Sequence, residues 1–248
     1  MAKVWTEIDG KLAERVSTQP AQGAAALWHE AQRQWLQAHK YLWLSRINAH
    51  EQVKRALDVM VAAILLIGLL PVFTMLALLV KLTDGGPALH WQMRVGRWGK
   101  EFSFPKFRSM RLDAEKLLDS LLPESQHQAG VTFKMRRDPR VTRIGAFLRS
   151  SSLDELPQIW CVLKGEMSLV GPRPPLPREV EYYSLADRRR LDVKPGLTCI
   201  WQVSGRSDIP FPEQVKLDVE YIERRSLWLD LQLLARTVSA VVSGKGAY

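Results

Sequence analysis

The chain has little cysteine, only Cys161 and Cys199 in 248 residues. Two cysteines are too few for a disulfide framework and lack the spacing of a metal site, so a reducing compartment is expected. Internal repeats and low-complexity tracts are absent as well. What is present belongs to an ordered chain: 46% hydrophobic, 25% charged and 8% aromatic residues exclude a disordered or collagen-like polypeptide. The length suits one decorated domain, or a small domain with extensions, and is ample for a buried core.

Acidic residues are the scarcer sign, 26 against 35 Lys+Arg, for a net charge of +9. The excess is concentrated. Residues 81–150 carry 14 basic and 7 acidic groups, while residues 151–248 carry 13 of each. One basic block implies an anionic partner near that block rather than a generally basic protein.

Val59 to Val80 contains no charged residue. At 1.5 Å per residue a straight helix over this run is roughly 33 Å long, enough to cross a hydrocarbon core. The run begins too late, and lacks the small-residue cleavage site, for a secretory signal. Embedding in a membrane is therefore expected. Pro71 removes one backbone donor and clashes with the Ile67 carbonyl, which predicts a kink with Gly68 close by. Lys40, Arg46, Lys54 and Arg55 precede the run, and Lys81, Arg94, Arg97 and Lys100 follow it. Equal positive flanks favour neither orientation of a single crossing, whereas a hairpin broken at Leu70-Pro71 keeps both flanks on the cytoplasmic side. The physical objection is that backbone opened inside a bilayer needs hydrogen-bond partners.

Residues 1–50 read as helical, with Trp28, Trp35, Tyr41 and Trp43 expected to pack on protein or sit at a membrane surface. Asp84-Gly85-Gly86-Pro87 predicts a turn, and Phe102-Ser103-Phe104 alternates as a short strand. Helical patterns cover Arg111–Leu122, Leu185–Leu191 (ended by Lys194-Pro195-Gly196), Glu213–Arg224 and Leu227–Val242. The last is apolar enough to lie against a membrane or the core. The part beyond residue 80 should be mainly helical with a small sheet.

The chemistry concentrates around Ser150-Ser151-Ser152-Leu153-Asp154-Glu155. Serines before an acidic pair suit a helix N-terminus, where free N–H groups and the macrodipole favour anions. Adjacent carboxylates there either hold a divalent metal with a phosphate, divide nucleophile and acid/base roles, or only cap the helix. Lys106, Arg108, Arg136, Arg137, Arg140, Arg143 and Arg149 precede the pair. Arg173 follows in the rigid turn Gly171-Pro172-Arg173-Pro174-Pro175, and arginine's planar fork suits phosphate.

KFRSM at 106–110, RSSSLDELPQ at 149–158, GEMSLVGPRP at 165–174 and KPGLTCIWQVSGR at 194–206 stand in the order found in the bacterial sugar transferases. QMRVG at 92–96 and KLDVEYI at 216–222 also resemble the pattern, so the resemblance runs from about Arg55 to Val242. These are monotopic polyprenyl-phosphate phosphoglycosyl transferases. The resemblance implies transfer of a sugar 1-phosphate from a UDP-sugar to undecaprenyl phosphate, with release of UMP, through a covalent phosphosugar-enzyme intermediate. It makes Asp154 the nucleophile and Glu155 its acid/base or orienting partner. Mg²⁺ is implied, held by Asp154 with the diphosphate. Lys106, Arg149 and Arg173 fall in family motifs as phosphate contacts, Arg206 as a uridine or phosphate contact, and Asp218 as a site residue or a helix-packing residue.

The implied fold is mainly α with a small β element. A re-entrant helix-break-helix over 51–83 and interfacial amphipathic helices surround a compact catalytic domain, 84–248, on the cytoplasmic face of the bacterial inner membrane. Residues 1–50 form an N-terminal helical extension. The family break commonly has a small residue before proline, where Leu70 stands before Pro71 here. Larger members carry a four-helix membrane region and another domain ahead of this core, so a compact or shortened form is implied. WQVSGR resembles hexose 1-phosphate transferases of exopolysaccharide assembly, which favours glucose or galactose over N-acetylated sugars. The expected partners are a UDP-sugar, undecaprenyl phosphate and membrane lipids, without nucleic acid, and a homodimer is left open. A membrane-anchored anion-binding module and a metal-dependent lipid phosphatase are the competing classes.

Overall fold

A computed structural model of the chain describes residues 49–114, 116–117 and 138–243, together with Trp35. The remaining sequence readings (helicity over 1–48, Trp28, Tyr41, Trp43, Arg136, Arg137 and half of Arg111–Leu122) lie outside the described residues. The chain divides into a unit Met1–Val53 and a unit Lys54–Tyr248.

The apolar run forms two helices, α1 over Ala49–Gly68 and α2 over Leu70–Asp84, bent by 60°. No single described helix is long and apolar enough to cross a membrane. The turn residue is Leu69, one position before the Leu70-Pro71 break expected from proline chemistry. Pro71 sits in the first turn of α2, where its missing donor costs no helical hydrogen bond. Leu69 keeps both of its own bonds, donating to Leu65 O at 2.9 Å and accepting from Phe73 N at 2.8 Å. The bend therefore leaves far less backbone open than a broken hairpin requires.

Asp84 ends α2, and Gly85 closes it at φ 71°, a left-handed position that suits glycine. The chain then forms a hairpin of β1 (Leu89–Val95) and β2 (Glu101–Phe107), antiparallel with Leu89 opposite Phe107 and Val95 opposite Glu101. The expected strand at Phe102–Phe104 is the buried centre of β2. Phe102 and Phe104 enter the main core with Ala62, Val162, Tyr221 and Leu233. Phe107 turns to a second cluster with Leu76, Val80 and Leu148, and its ring lies 5.9 Å from Phe73 of α2.

After the hairpin come α3 (Arg143–Ser150), a 3-10 stretch (Leu153–Gln158) and α4 (Ile159–Lys164). β3 (Ser168–Val170) and β4 (Gly196–Thr198) pair in parallel, with Ser168 opposite Gly196. Between them lie α5 (Pro177–Glu181), α6 (Leu185–Arg188) and the 3-10 turn Arg189–Leu191. The chain closes with α7 (Ile200–Ser204), α8 (Phe211–Arg224) and α9 (Leu227–Ser243). The described part is thus mainly helical with two small sheets.

Polar side chains of α1 tie it to this framework. Lys54 pairs with Asp230. Arg55 donates to the Val162 and Leu163 carbonyls at 2.6 and 2.8 Å, capping the orphan carbonyls at the end of α4. The buried Asp58 accepts from Leu169 N at 3.1 Å.

β4 and the segment after β3 approach so closely that a Cβ on Gly196 would lie 2.0 Å from Gly171 N. Gly196→Ala should therefore lose about 1–3 kcal/mol through overpacking against backbone. Thermal unfolding of the detergent-solubilised protein measures this, and an unchanged melting temperature would contradict the close approach.

Candidate functional site

The dyad is placed by an abrupt end to α3. Ser150 and Ser151 donate their hydroxyls back to Phe147 O at 2.9 and 2.7 Å. Ser152 follows at φ 58°, left-handed and not glycine, a costly conformation that the surroundings must enforce. These serines do not cap the next helix as expected. Ser152 makes no side-chain cap bond, and the Ser150 and Ser151 hydroxyls are taken by carbonyls three and four residues earlier. Asp154 and Glu155 occupy the first turn of the 3-10 stretch, and that acidic start agrees with the helix-dipole argument.

The two carboxylates have different environments. Glu155 accepts from Arg173 Nη2 at 2.7 Å and lies 3.9 Å from Lys106 Nζ. Burial works to raise the Glu155 pKa, but Arg173 and Lys106 outweigh it and hold the carboxyl below its usual range. Asp154 is 8% exposed and accepts no side-chain or backbone hydrogen bond in the described structure. Burial first, and then the adjacent Glu155 charge, push its carboxyl well above the ordinary range, against the pull of Lys106 and Arg149. One carboxylate is a fixed, ionised anchor, and its neighbour is uncommitted.

Arg173 is held from two sides. Gly196 N donates to Pro172 O at 2.8 Å and Val95 N to Pro175 O at 2.9 Å, while Arg94 Nη1 donates to Pro174 O at 2.9 Å. The prolines supply acceptors without donors of their own, so the turn is pinned by its carbonyls. Its rigidity agrees with the sequence reading, and Glu155 raises the guanidinium pKa further. Burial lowers Lys106 to about 8, although Glu155 opposes the shift. Arg149 donates from Nε to Ser109 Oγ at 2.9 Å, and its pKa falls through burial despite the Asp154 charge.

Lys106, Arg149 and Arg173 are thus brought together around the dyad. Arg94 joins them, although it had been read only as a flanking positive charge. It is buried, its guanidinium lies 5.2 Å from the Phe104 ring centre, and burial, then Arg173, lowers its pKa to about 10. The sequence signal for it was the QMRVG segment. Four cations face two carboxylates, an excess that suits an incoming polyanion.

Arg206 and Asp218 make no recorded contact with the dyad. Arg206 lies at φ 52° in the turn Arg206–Asp208. Asp218 is fully buried on α8 and accepts from Arg190 Nε at 2.8 Å, while Arg190 also donates to Tyr183 Oη at 2.8 Å. Burial raises Asp218 to about 6 against the pull of Arg190. The packing alternative describes its surroundings.

Among the described residues no group of three or more His, Cys, Asp or Glu side chains converges, so there is no all-protein metal cage. Mg²⁺ commonly takes only one or two carboxylates and completes its shell with phosphate and water. The uncommitted Asp154 carboxylate fits that pattern.

Residues 49–244 match the family model described as bacterial sugar transferase. The chain belongs to the bacterial sugar transferase family. It is 48% identical over 202 residues to the galactosyl transferase CpsE of Streptococcus agalactiae, covering 80% of this chain and 44% of that protein. Similarity to the exopolysaccharide production protein ExoY of Rhizobium meliloti is 39% identity over 198 residues, covering 79% and 88%. The undecaprenyl-phosphate galactose phosphotransferase of Salmonella typhimurium is 43% identical over 200 residues, covering 79% and 42%. The chain thus spans less than half the length of several curated relatives it matches.

Glu155→Gln should lower the Asp154 pKa, since it removes a neighbouring negative charge and frees Lys106 and Arg173 to act on Asp154. Carboxyl ¹³C NMR titration of aspartate-labelled protein follows it, with Asp154→Asn assigning the signal. An unchanged or raised pKa would contradict the coupling.

Proposed function

We propose that the chain transfers a hexose 1-phosphate from a UDP-hexose to undecaprenyl phosphate and releases UMP, beginning the assembly of a polysaccharide or glycoconjugate. The observation that carries this reading is the uncommitted, buried Asp154 beside a Glu155 already paired with Arg173 and Lys106. The family match and the relatives' names support the same chemistry, and those names include both galactose and glucose transferases.

In the first step an Asp154 oxygen attacks the β-phosphorus of the donor. The bond from that phosphorus to the bridging oxygen breaks, and UMP departs with the electron pair. In the second step an oxygen of the lipid phosphate attacks the phosphosugar. The bond to Asp154 breaks, and the carboxylate is regenerated with the sugar on a lipid diphosphate. A carboxylate approaching an anionic diphosphate faces repulsion that positioned cations offset. Lys106, Arg149, Arg173 and Arg94 supply that field. Glu155, held ionised, is better suited to fix Arg173 and Lys106 than to donate a proton near neutrality. Mg²⁺ would be held by Asp154 with the donor diphosphate, where it supplies further positive charge.

The helix pair supports a location in the cytoplasmic membrane, re-entrant from the cytoplasmic face. Met60, Ile64 and Ile67 stand at one-turn spacing on an exposed face of α1, and Met75, Leu78 and Leu82 on an exposed face of α2, with Ile67 77% and Leu82 74% exposed. Contiguous apolar surface of this kind marks contact with a membrane or a partner, and the polar anchors of α1 hold its inner face on the catalytic part.

Incubation with UDP-galactose or UDP-glucose, Mg²⁺ and undecaprenyl phosphate should release UMP and yield lipid-linked sugar. Asp154→Asn should reduce turnover by at least about 10³-fold, as expected when a nucleophile is lost. Substantial activity in that variant would contradict the nucleophile assignment. Because Asp154 acts deprotonated and its pKa is raised, activity should fall as pH drops through a value above the ordinary aspartate range, about 3.9. Single cysteines at positions 45 and 90 should both react with a membrane-impermeant reagent from the cytoplasmic side, and labelling from opposite sides would establish a spanning arrangement.

A further inference from the structure

The Lys54–Tyr248 unit contains an apolar groove of about 450 Å³ that the chemistry of the dyad does not use, a volume within the usual range of about 300–1,000 Å³ for ligand sites. One side is built from the helix pair through Leu66, Phe73 and Ala77, and the other from Trp91, Pro157 and Trp160. Trp91 and Trp160 are 54% and 49% exposed, so this wall presents large aromatic side chains to the outside. Thr74 also lines it, but its hydroxyl is engaged with Leu70 O at 3.0 Å.

We propose that this groove holds the phosphate-proximal isoprene units of the acceptor lipid, an assignment that rests on the function proposed above. The first reason is where its walls come from. One wall belongs to the helices whose outer faces are exposed and apolar, and the other to the segment that carries the nucleophile. In a 3-10 turn, residues three apart stand in line along one face. Pro157 is therefore aligned with Asp154, and Trp160 follows in the first turn of α4. A chain lying against Pro157 and Trp160 ends at the Asp154 side of the turn.

The second reason is the division of β2 into two faces. Pro105 and Phe107 line the groove, while Lys106 between them reaches Glu155. Successive strand side chains point to opposite faces, so the apolar groove and the cation cluster are separated by one strand. An acceptor with a phosphate head and a hydrocarbon tail needs that separation, whereas a water-soluble donor has no use for the apolar side. An ordinary membrane lipid chain is the rival occupant.

The test compares wild type, Ala77→Phe, which fills the groove, and Trp160→Ala, which removes an exposed wall without adding bulk. KM is measured for undecaprenyl phosphate, for geranyl phosphate and for the UDP-hexose in detergent micelles. Ala77→Phe should raise KM for undecaprenyl phosphate by about tenfold, the loss of roughly 1.4 kcal/mol of binding, and raise that for geranyl phosphate as well, since both acceptors carry phosphate-proximal isoprene units. Trp160→Ala should raise the KM of both acceptors in the same direction, which keeps the test valid if the phenylalanine variant fails to fold. KM for the UDP-hexose should stay within about twofold in a folded variant, because the donor is not read by the groove. Unchanged acceptor KM values, or equal losses for both acceptors and the donor, would overturn the groove assignment while leaving the reaction intact; the first result is also what a groove filled by bulk lipid gives. Wild-type protein that forms no lipid-linked product with either acceptor would instead overturn the reaction and the groove together.

Discussion

The ion pairing of Glu155 with Arg173 and Lys106 is the interaction on which the site depends. A buried dyad of adjacent carboxylates repels itself, and the structure resolves that conflict by giving the cations to one member. Glu155 is ionised and paired with both Arg173 and Lys106. Asp154 remains close to the same cations without being bonded to them. This asymmetry leaves a carboxylate available for reaction in a place that is hospitable to anions. It also explains the care with which Arg173 is held, since the turn between Gly171 and Pro175 is bonded to β1 on one side and β4 on the other.

The bent helix pair and the catalytic part are joined through charged groups rather than apolar packing alone. Lys54, Arg55 and Asp58 would be expensive on a helix buried in hydrocarbon, and each instead finds a partner on α9, at the end of α4 or on β3. Those bonds place the charged start of α1 on the protein side, while its later turns pack Ala62 into the core and leave Met60, Ile64 and Ile67 outward. The same placement brings Leu66 of α1 and α2 beside the hairpin, so that one arrangement serves both anchorage and the apolar groove.

Much of the site was legible in the sequence because its parts are chemically unusual. An Asp-Glu pair after three serines, a lysine in KFRSM and an arginine between prolines stand out by residue type, and the structure brings them together. The turn at Asp84–Pro87 and helices α8 and α9 were equally plain, from glycine, proline and apolar period. β3 and β4 were not, because each is three residues long and largely buried, which leaves no alternation to read. Arg94 is legible only as a positive charge after the apolar run and as part of QMRVG, because its burial against Phe104 and Arg173 depends on the hairpin's packing. The serines were misread as caps of the following turn because the same residue type satisfies carbonyls behind it as readily as donors ahead. The break came one residue early because proline is accommodated inside the first turn of α2 rather than in the gap.

The central proposal is that Asp154, and not the ion-paired Glu155, carries the sugar phosphate between two displacements. The decisive measurement is peptide mapping by mass spectrometry after rapid mixing with the UDP-hexose and Mg²⁺ in the absence of acceptor lipid. The account predicts a hexose-phosphate adduct on Asp154, lost when undecaprenyl phosphate is added. An adduct on Glu155, or lipid-linked product formed by an enzyme that never carries an adduct on any residue, would contradict it.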